Sequence, residues 1–148
     1  MFFSKIIFWL TWPGLWLVLR GSRRTRLLLT CGDEFLVLQG WLNNGQWSLP
    51  GGGLHKNEAP VTGVLRELRE ETGIILRPSQ VCHAYNGPYN KQGLKFEYIA
   101  FTAHLDTKPS LKAQVFEIKT ITWQSLKNHS VPLTQDTSAL LDWWLRRA

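Results

Sequence analysis

Between residues 51 and 74 the chain passes from three consecutive glycines, Gly51 to Gly53, through Pro60 to a stretch that stays helix-compatible as far as Thr72 and stops at Gly73. Proline suits the first turn of a helix and glycine the residue just past its end, so both boundaries are marked. Val61, Val64, Leu65 and Leu68 fall at i, i+3, i+4 and i+7, which makes one face apolar. Glu67, Glu70 and Glu71 fall at i, i+3 and i+4 on another face, about 100° or more away around the helix. One face is anchored and the other is loaded with carboxylates.

Around this helix the chain alternates β-rich runs with turns. Thr25 to Thr30 and Phe35 to Gln39 flank Cys31-Gly32-Asp33-Glu34 and read as a hairpin. Asn44-Gly45 between Trp41 and Trp47 is a second hairpin signal, and the next strand ends at Pro50. Past Pro78, Val81 to Tyr85 and Lys95 to Leu105 read as strands joined by a polar loop over residues 86–93. Glu117 to Trp123 is a further strand, Trp123 to Asn128 suits a helical turn or two, and Thr134 to Arg147 is a closing helix. The expected fold class is α/β, a mixed sheet sandwiched between helices.

The chain has 148 residues and 44% hydrophobic content, enough for one domain to bury a core without disulfides or a structural metal. Cys31 and Cys82 form no C-x-x-C pair, and a reducing cytoplasmic setting suits two buried structural thiols. The net charge of +6 is concentrated at one end. Lys5, Arg20, Arg23, Arg24 and Arg26 precede the first acid, Asp33, and the remaining 12 basic residues face 11 acidic ones. Broad nucleic-acid binding is therefore not expected.

Residues 1–22 read as an apolar and basic arm ahead of a single domain over 23–148. Its run from Ile6 to Leu19 is uncharged, but Pro13-Gly14 interrupts it and a spanning helix needs about 20 apolar residues. Packing on the domain is the plainer reading. Peripheral membrane contact, with Trp9, Trp12 and Trp16 at headgroup level, is the alternative, and packing on a partner subunit in a homodimer is a third.

Three carboxylates within two helical turns repel one another by a few tenths of a kcal/mol per pair, so something should offset them. Solvation and the neighbours Arg66 and Arg69 are the ordinary answer. A Gly-rich turn before the helix and an Arg immediately before the first Glu favour a different one. Mg²⁺ or Mn²⁺ takes oxygen ligands and shares its coordination with substrate phosphates, and clustered glutamates suit it. Arg66 then serves as an orienting partner, holding a carboxylate in a fixed rotamer. No serine, cysteine or histidine triad is signalled, so attack by activated water is favoured over a covalent intermediate.

Gly52, Glu58, Arg66, Glu67, Leu68, Glu70, Glu71, Gly73 and Ile74 stand in the spacing G-x5-E-x7-R-E-U-x-E-E-x-G-U, with U aliphatic. In this box, Gly52 to Ile74, the chain resembles the Nudix hydrolases. The resemblance implies a Nudix-type α/β/α sandwich and cleavage of the pyrophosphate in a nucleoside diphosphate linked to another moiety, with Mg²⁺ or Mn²⁺. It also implies Glu67, Glu70 and Glu71 as main metal ligands, the carbonyl of Gly51 as a backbone ligand, and a metal or helix-supporting role for Glu58. Relatives take the general base from the box helix or from a later loop, which makes Glu67 the first candidate and Glu117 the second. His55, Lys56 and Tyr89 are candidate substrate contacts, and Trp41, Trp47, Phe35, Tyr85 and Phe96 candidate base-stacking groups that serve equally as core. His83, His104 and His129 show no ligand spacing and read as structural or surface residues.

Two other functions stay open at this point. A nucleotide sensor would use the fold without turnover, and a membrane-peripheral enzyme would act on a lipid-linked pyrophosphate. Nothing inside the box selects the substrate.

Overall fold

The computed structural model describes residues 23–41, 43–91, 94–112 and 118–147, with backbone alone for 89–91 and 94–96. The arm over 1–22, the general-base candidate Glu117 and the side chains of Tyr89 and Phe96 lie outside the described residues. Five strands form one sheet: β1 (Arg23–Cys31), β2 (Glu34–Gly40), β3 (Cys82–Lys91), β4 (Leu94–Leu105) and β5 (Ile118–Ser125). Their order is β3-β4-β1-β2-β5. Only β1 and β4 run parallel; the other neighbours are antiparallel, so the sheet is mixed.

Among the described residues two α-helices cover the sheet, α1 (Pro60–Thr72) and α2 (Gln135–Leu145). Side chains alternate across a strand, and here the alternation divides the core. Leu27, Leu29 and Leu36 pack with Val64 and Leu68 of α1. Leu28, Phe35 and Val37 pack with Leu140 and Leu141 of α2. The α/β/α layering expected from the chain order is thus realised around a sheet that is apolar on both faces.

The local signals explain most boundaries. Gly32-Asp33 turns the hairpin between β1 and β2, which pair through Thr30 with Phe35 and Cys31 with Glu34. Asn44 and Gly45 both take positive φ, 49° and 83°, as a tight Asn-Gly turn requires. The chain leaves that turn without forming a regular strand, because residues 47 and 48 make only isolated bridges. Gly73 caps α1 in the left-handed conformation at φ 77°, its N–H donating to the Arg69 carbonyl.

Besides the strand expected before Pro50, further expectations need correction, among them the burial of both thiols, since Cys31 is buried and Cys82 exposed. Most of the polar stretch over 86–93 is strand: β3 reaches Lys91 and pairs with β4 through Gly87–Tyr98 and Pro88–Glu97. β3 lies at the sheet edge, where a proline costs no interstrand donor if its nitrogen faces outward, so Pro88 does not end it. The stretch Trp123 to Asn128 is not helical, since β5 continues to Ser125 in register with Glu34. Among the described residues no helix is long and apolar enough to cross a membrane.

Candidate active site

The glycine turn is built against β1. Residues 50–54 run beside its first half, with Thr25 N donating to Gly52 O, Leu27 N to Pro50 O and Leu54 N to Arg23 O, each at 2.9 Å. Gly51 sits at φ 133°, and a Cβ there would fall 2.3 Å from the Thr25 carbonyl oxygen. No other residue fits that backbone. At Gly52 the constraint comes from the site, because a Cβ would lie 2.5 Å from Glu67 Oε1. The missing side chain is the space that the Glu67 carboxylate occupies.

Arg66 gathers the acids. Its Nε donates to Glu58 Oε1 at 2.9 Å and Nη1 to both Glu67 Oε1 at 3.0 Å and Glu70 Oε2 at 3.1 Å. Nη2 donates to Glu58 Oε2 and to the Gly53 carbonyl, each at 3.1 Å. A guanidinium has five N–H donors, and these bonds engage all five. Arg66 is therefore an internal brace, with no donor left for a substrate. Its hydrogen bonds to Glu58, ahead of the opposing effect of burial, raise its pKa further. In return the Arg66 bonds and the His55 backbone N–H bring the Glu58 carboxyl down to about 2.

The third helix acid is held differently. Glu71 Oε2 accepts the Gly51 N–H at 2.9 Å, so the turn itself offsets the charge of Glu71. Glu67 is mostly covered, whereas the Glu70 side chain is 42% exposed. Glu58, Glu67 and Glu70 thus meet at one arginine, and Glu71 is held at the glycine turn.

A cationic group that the sequence pattern does not single out lies on the other side. Arg24 and Arg26 are two apart on β1 and so share the α2 face of the sheet. Arg26 Nη1 donates to the Gly51 carbonyl, and its Nε pairs with Asp136 Oδ2 of α2 at 3.2 Å. Burial acts to lower the pKa of Arg26, but Asp136 and other neighbours outweigh it and the net shift is upward. For Asp136, burial acts to raise the pKa; Arg26 and the Thr134 hydroxyl prevail and hold the carboxyl below its usual range. Burial first, then Arg26, pulls Arg24 down to about 10, against the opposing fields of Asp136, Glu67 and Glu71. By charge alone both arginines belong to a basic terminus. Their signal is the alternation Arg24-Thr25-Arg26-Leu27 ahead of Leu27 to Leu29, which are apolar on both faces.

Other candidates stand apart from this cluster. The side chains of His55 and Lys56 are exposed, and the His55 backbone N–H, at 2.8 Å from Glu58 Oε2, is the part that touches the site. Phe35 is fully buried in the α2-side core and packs edge-on against His129, so it cannot stack on a base. Trp41 is 64% exposed, with Lys119 Nζ 5.7 Å from its ring centroid. His83 lies edge-on to Phe101 and His104 is 3.0 Å from the Thr30 hydroxyl, and both are exposed on the surface.

Among the described residues no three histidine, cysteine or acidic side chains converge as a preformed cation cage. The donor chemistry nevertheless suits a hard divalent cation: carboxylate oxygens from one helix face, a peptide carbonyl, and a glycine that keeps the approach to Glu67 clear.

This chain belongs to the family defined by the NUDIX domain, whose family model matches residues 19–144. It is 49% identical to a MutT-like protein of Streptomyces ambofaciens over 43 residues, 29% of this chain and 28% of that protein. With the uncharacterized Nudix hydrolase YvcI of Bacillus subtilis (strain 168) it shares 27% identity over 128 residues, 84% of this chain and 80% of that protein. Two further curated relatives are matched over only 22% and 32% of their own lengths. Among solved structures, the NUDIX domain of Shewanella oneidensis NrtR complexed with ADP ribose superposes with a TM-score of 0.75 at 20% identity. That match covers 86% of this chain and 88% of the other, and shows a shared fold.

Proposed function

We propose that this protein is a divalent-cation-dependent hydrolase that cleaves the pyrophosphate of a nucleoside diphosphate linked to another moiety. The observation that carries the reading is the Arg66 brace, which holds Glu58, Glu67 and Glu70 at 2.9–3.1 Å beside a glycine turn closed by Glu71. Holding four like charges together costs energy that a solvated helix face would not need to spend. Family membership and the ADP ribose bound by the NrtR domain support the substrate class.

Glu67, Glu70, Glu71 and the Gly51 carbonyl would hold Mg²⁺ or Mn²⁺. Glu58, with both oxygens taken by Arg66 and one also by His55, fits the supporting role better than a ligand's. When bound, the cation lowers the pKa of water and neutralises charge on the leaving phosphate. Arg66 engages Glu67 Oε1 and orients the carboxylate so that Oε2 can receive the proton of the attacking water. Arg24, half-buried on β1 opposite Gly53 and within the electrostatic reach of Glu67 and Glu71, would supply positive charge suited to the phosphates of the substrate.

Incubation with nucleoside triphosphates, nucleotide sugars, ADP-ribose and dinucleoside polyphosphates in ¹⁸O-water identifies the substrate and the phosphorus attacked. Turnover of at least one is expected with Mg²⁺ or Mn²⁺. Glu71→Gln should lower kcat roughly a hundredfold. An unchanged rate would show that Glu71 is not a ligand, and tight binding without any hydrolysis would favour a sensor.

A further inference from the structure

Residues 47–52 enter the glycine turn between two alternating sets of hydrogen bonds. Even-numbered residues bond to the sheet: Ser48 exchanges both backbone bonds with Leu38, Pro50 O accepts from Leu27 N and Gly52 O from Thr25 N, all at 2.9 Å. Odd-numbered residues bond toward the start of α2. Trp47 N donates to Pro132 O and Thr134 N donates to Trp47 O, both at 2.8 Å, and Leu49 N donates to Thr137 Oγ1 at 3.1 Å.

Gly51 would continue the second set, but it is reached through an intermediary. Its carbonyl accepts from Arg26, which is anchored by Asp136 in the first turn of α2, while its N–H goes to Glu71 of α1. Through its N–H and its carbonyl, Gly51 is thus tied to both α1 and α2. A carbonyl oxygen has two lone pairs, so Arg26 fixes its direction and leaves one for another partner. A guanidinium so close to a cation-binding oxygen would weaken that oxygen as a donor unless its charge were cancelled. Asp136, with a side chain only 14% exposed, is the group that cancels it.

We propose that Asp136, acting through Arg26, is a positioning residue for the Gly51 carbonyl, so that the first turn of α2 tunes the affinity of the box for its divalent cation. This role depends on the cation-dependent function proposed for the site. It gives α2 a part in the chemistry beyond covering the sheet.

The test is direct Mn²⁺ binding to the full chain, tracked by the loss of the free Mn²⁺ spectroscopic signal, with thermal unfolding measured on each variant. Asp136→Asn keeps the shape and a hydrogen-bond acceptor but removes the charge, and should weaken Mn²⁺ binding about tenfold, as loss of an outer-shell partner does. Asp136→Glu should bring affinity back to within about threefold of the parent. Thr137→Val removes a bond to the same segment without touching Arg26, and should leave affinity within about twofold. If Asp136→Asn does not fold, Arg26→Lys carries the same expectation, since a single ammonium cannot bridge Gly51 and Asp136 in the same way. Equal affinity of the folded Asp136→Asn and parent proteins would overturn the proposal, as would equal losses in Asp136→Asn and Thr137→Val. A parent protein that binds no Mn²⁺ would overturn the cation-dependent reading as well.

Discussion

Adjacent glycines at the turn are constrained by different neighbours, and their substitution should separate stability from activity. At Gly51 an added methyl meets the Thr25 backbone, which cannot move without shifting β1, and the φ of 133° is itself hostile to a side chain. Gly51→Ala is expected to cost about 3 kcal/mol or more, read as a lower urea midpoint. At Gly52 the methyl meets only the end of the Glu67 side chain, which can swing away. Gly52→Ala should keep stability within about 1 kcal/mol yet lower kcat at least tenfold, because Glu67 leaves its position. A Gly52→Ala protein with full activity would show that Glu67 has no fixed place in the chemistry. The box motif marks Gly52 but not its reason, since a carboxylate from fifteen residues later fills the gap.

At the scale of the element, α1 is readable to its ends. Pro60, the apolar spacing and Gly73 each act locally, and the observed helix runs from Pro60 to Thr72. Leu68 is fully buried against the sheet, and Leu68→Ala should cost about 3 kcal/mol, measured by denaturant unfolding. A loss below about 1 kcal/mol would mean that α1 is not anchored by that face. β3 is less readable because its identity depends on a partner strand: Asn86 to Lys91 carry turn-prone residues, and their pairing with β4 overrides that preference. Arg26 is hidden for a similar reason. Its partners, Gly51 and Asp136, are 25 and 110 residues away, and no local pattern connects them.

For the whole molecule, the acids of the site link stability to pH. The Glu58 carboxyl is lowered from 4.5 to about 2 on folding, mainly by Arg66. A group with a depressed folded pKa stabilises the native state fully above its unfolded value and loses that contribution as pH falls through the folded one. The Glu58 contribution should therefore be intact above pH 4.5 and fade between pH 4.5 and 2. Asp136, also lowered, acts in the same direction. Glu58→Gln should flatten the acid side of the stability profile between those limits, as measured by thermal unfolding. A parallel profile in the variant would place the acid sensitivity elsewhere.

The ties between residues 47–51 and the start of α2 also bear on how the molecule is made. A ribosome has synthesised the whole glutamate box by residue 74, but Trp47, Leu49 and Arg26 must wait for residues 132–137 before their partners exist. During that interval the glycine turn has its sheet contacts and lacks its second support. Catalytic competence is expected to arrive late and abruptly: arrested nascent chains should gain nucleotide turnover only after residues 132–137 have left the exit tunnel. Turnover by shorter chains would show that the sheet alone sets the turn.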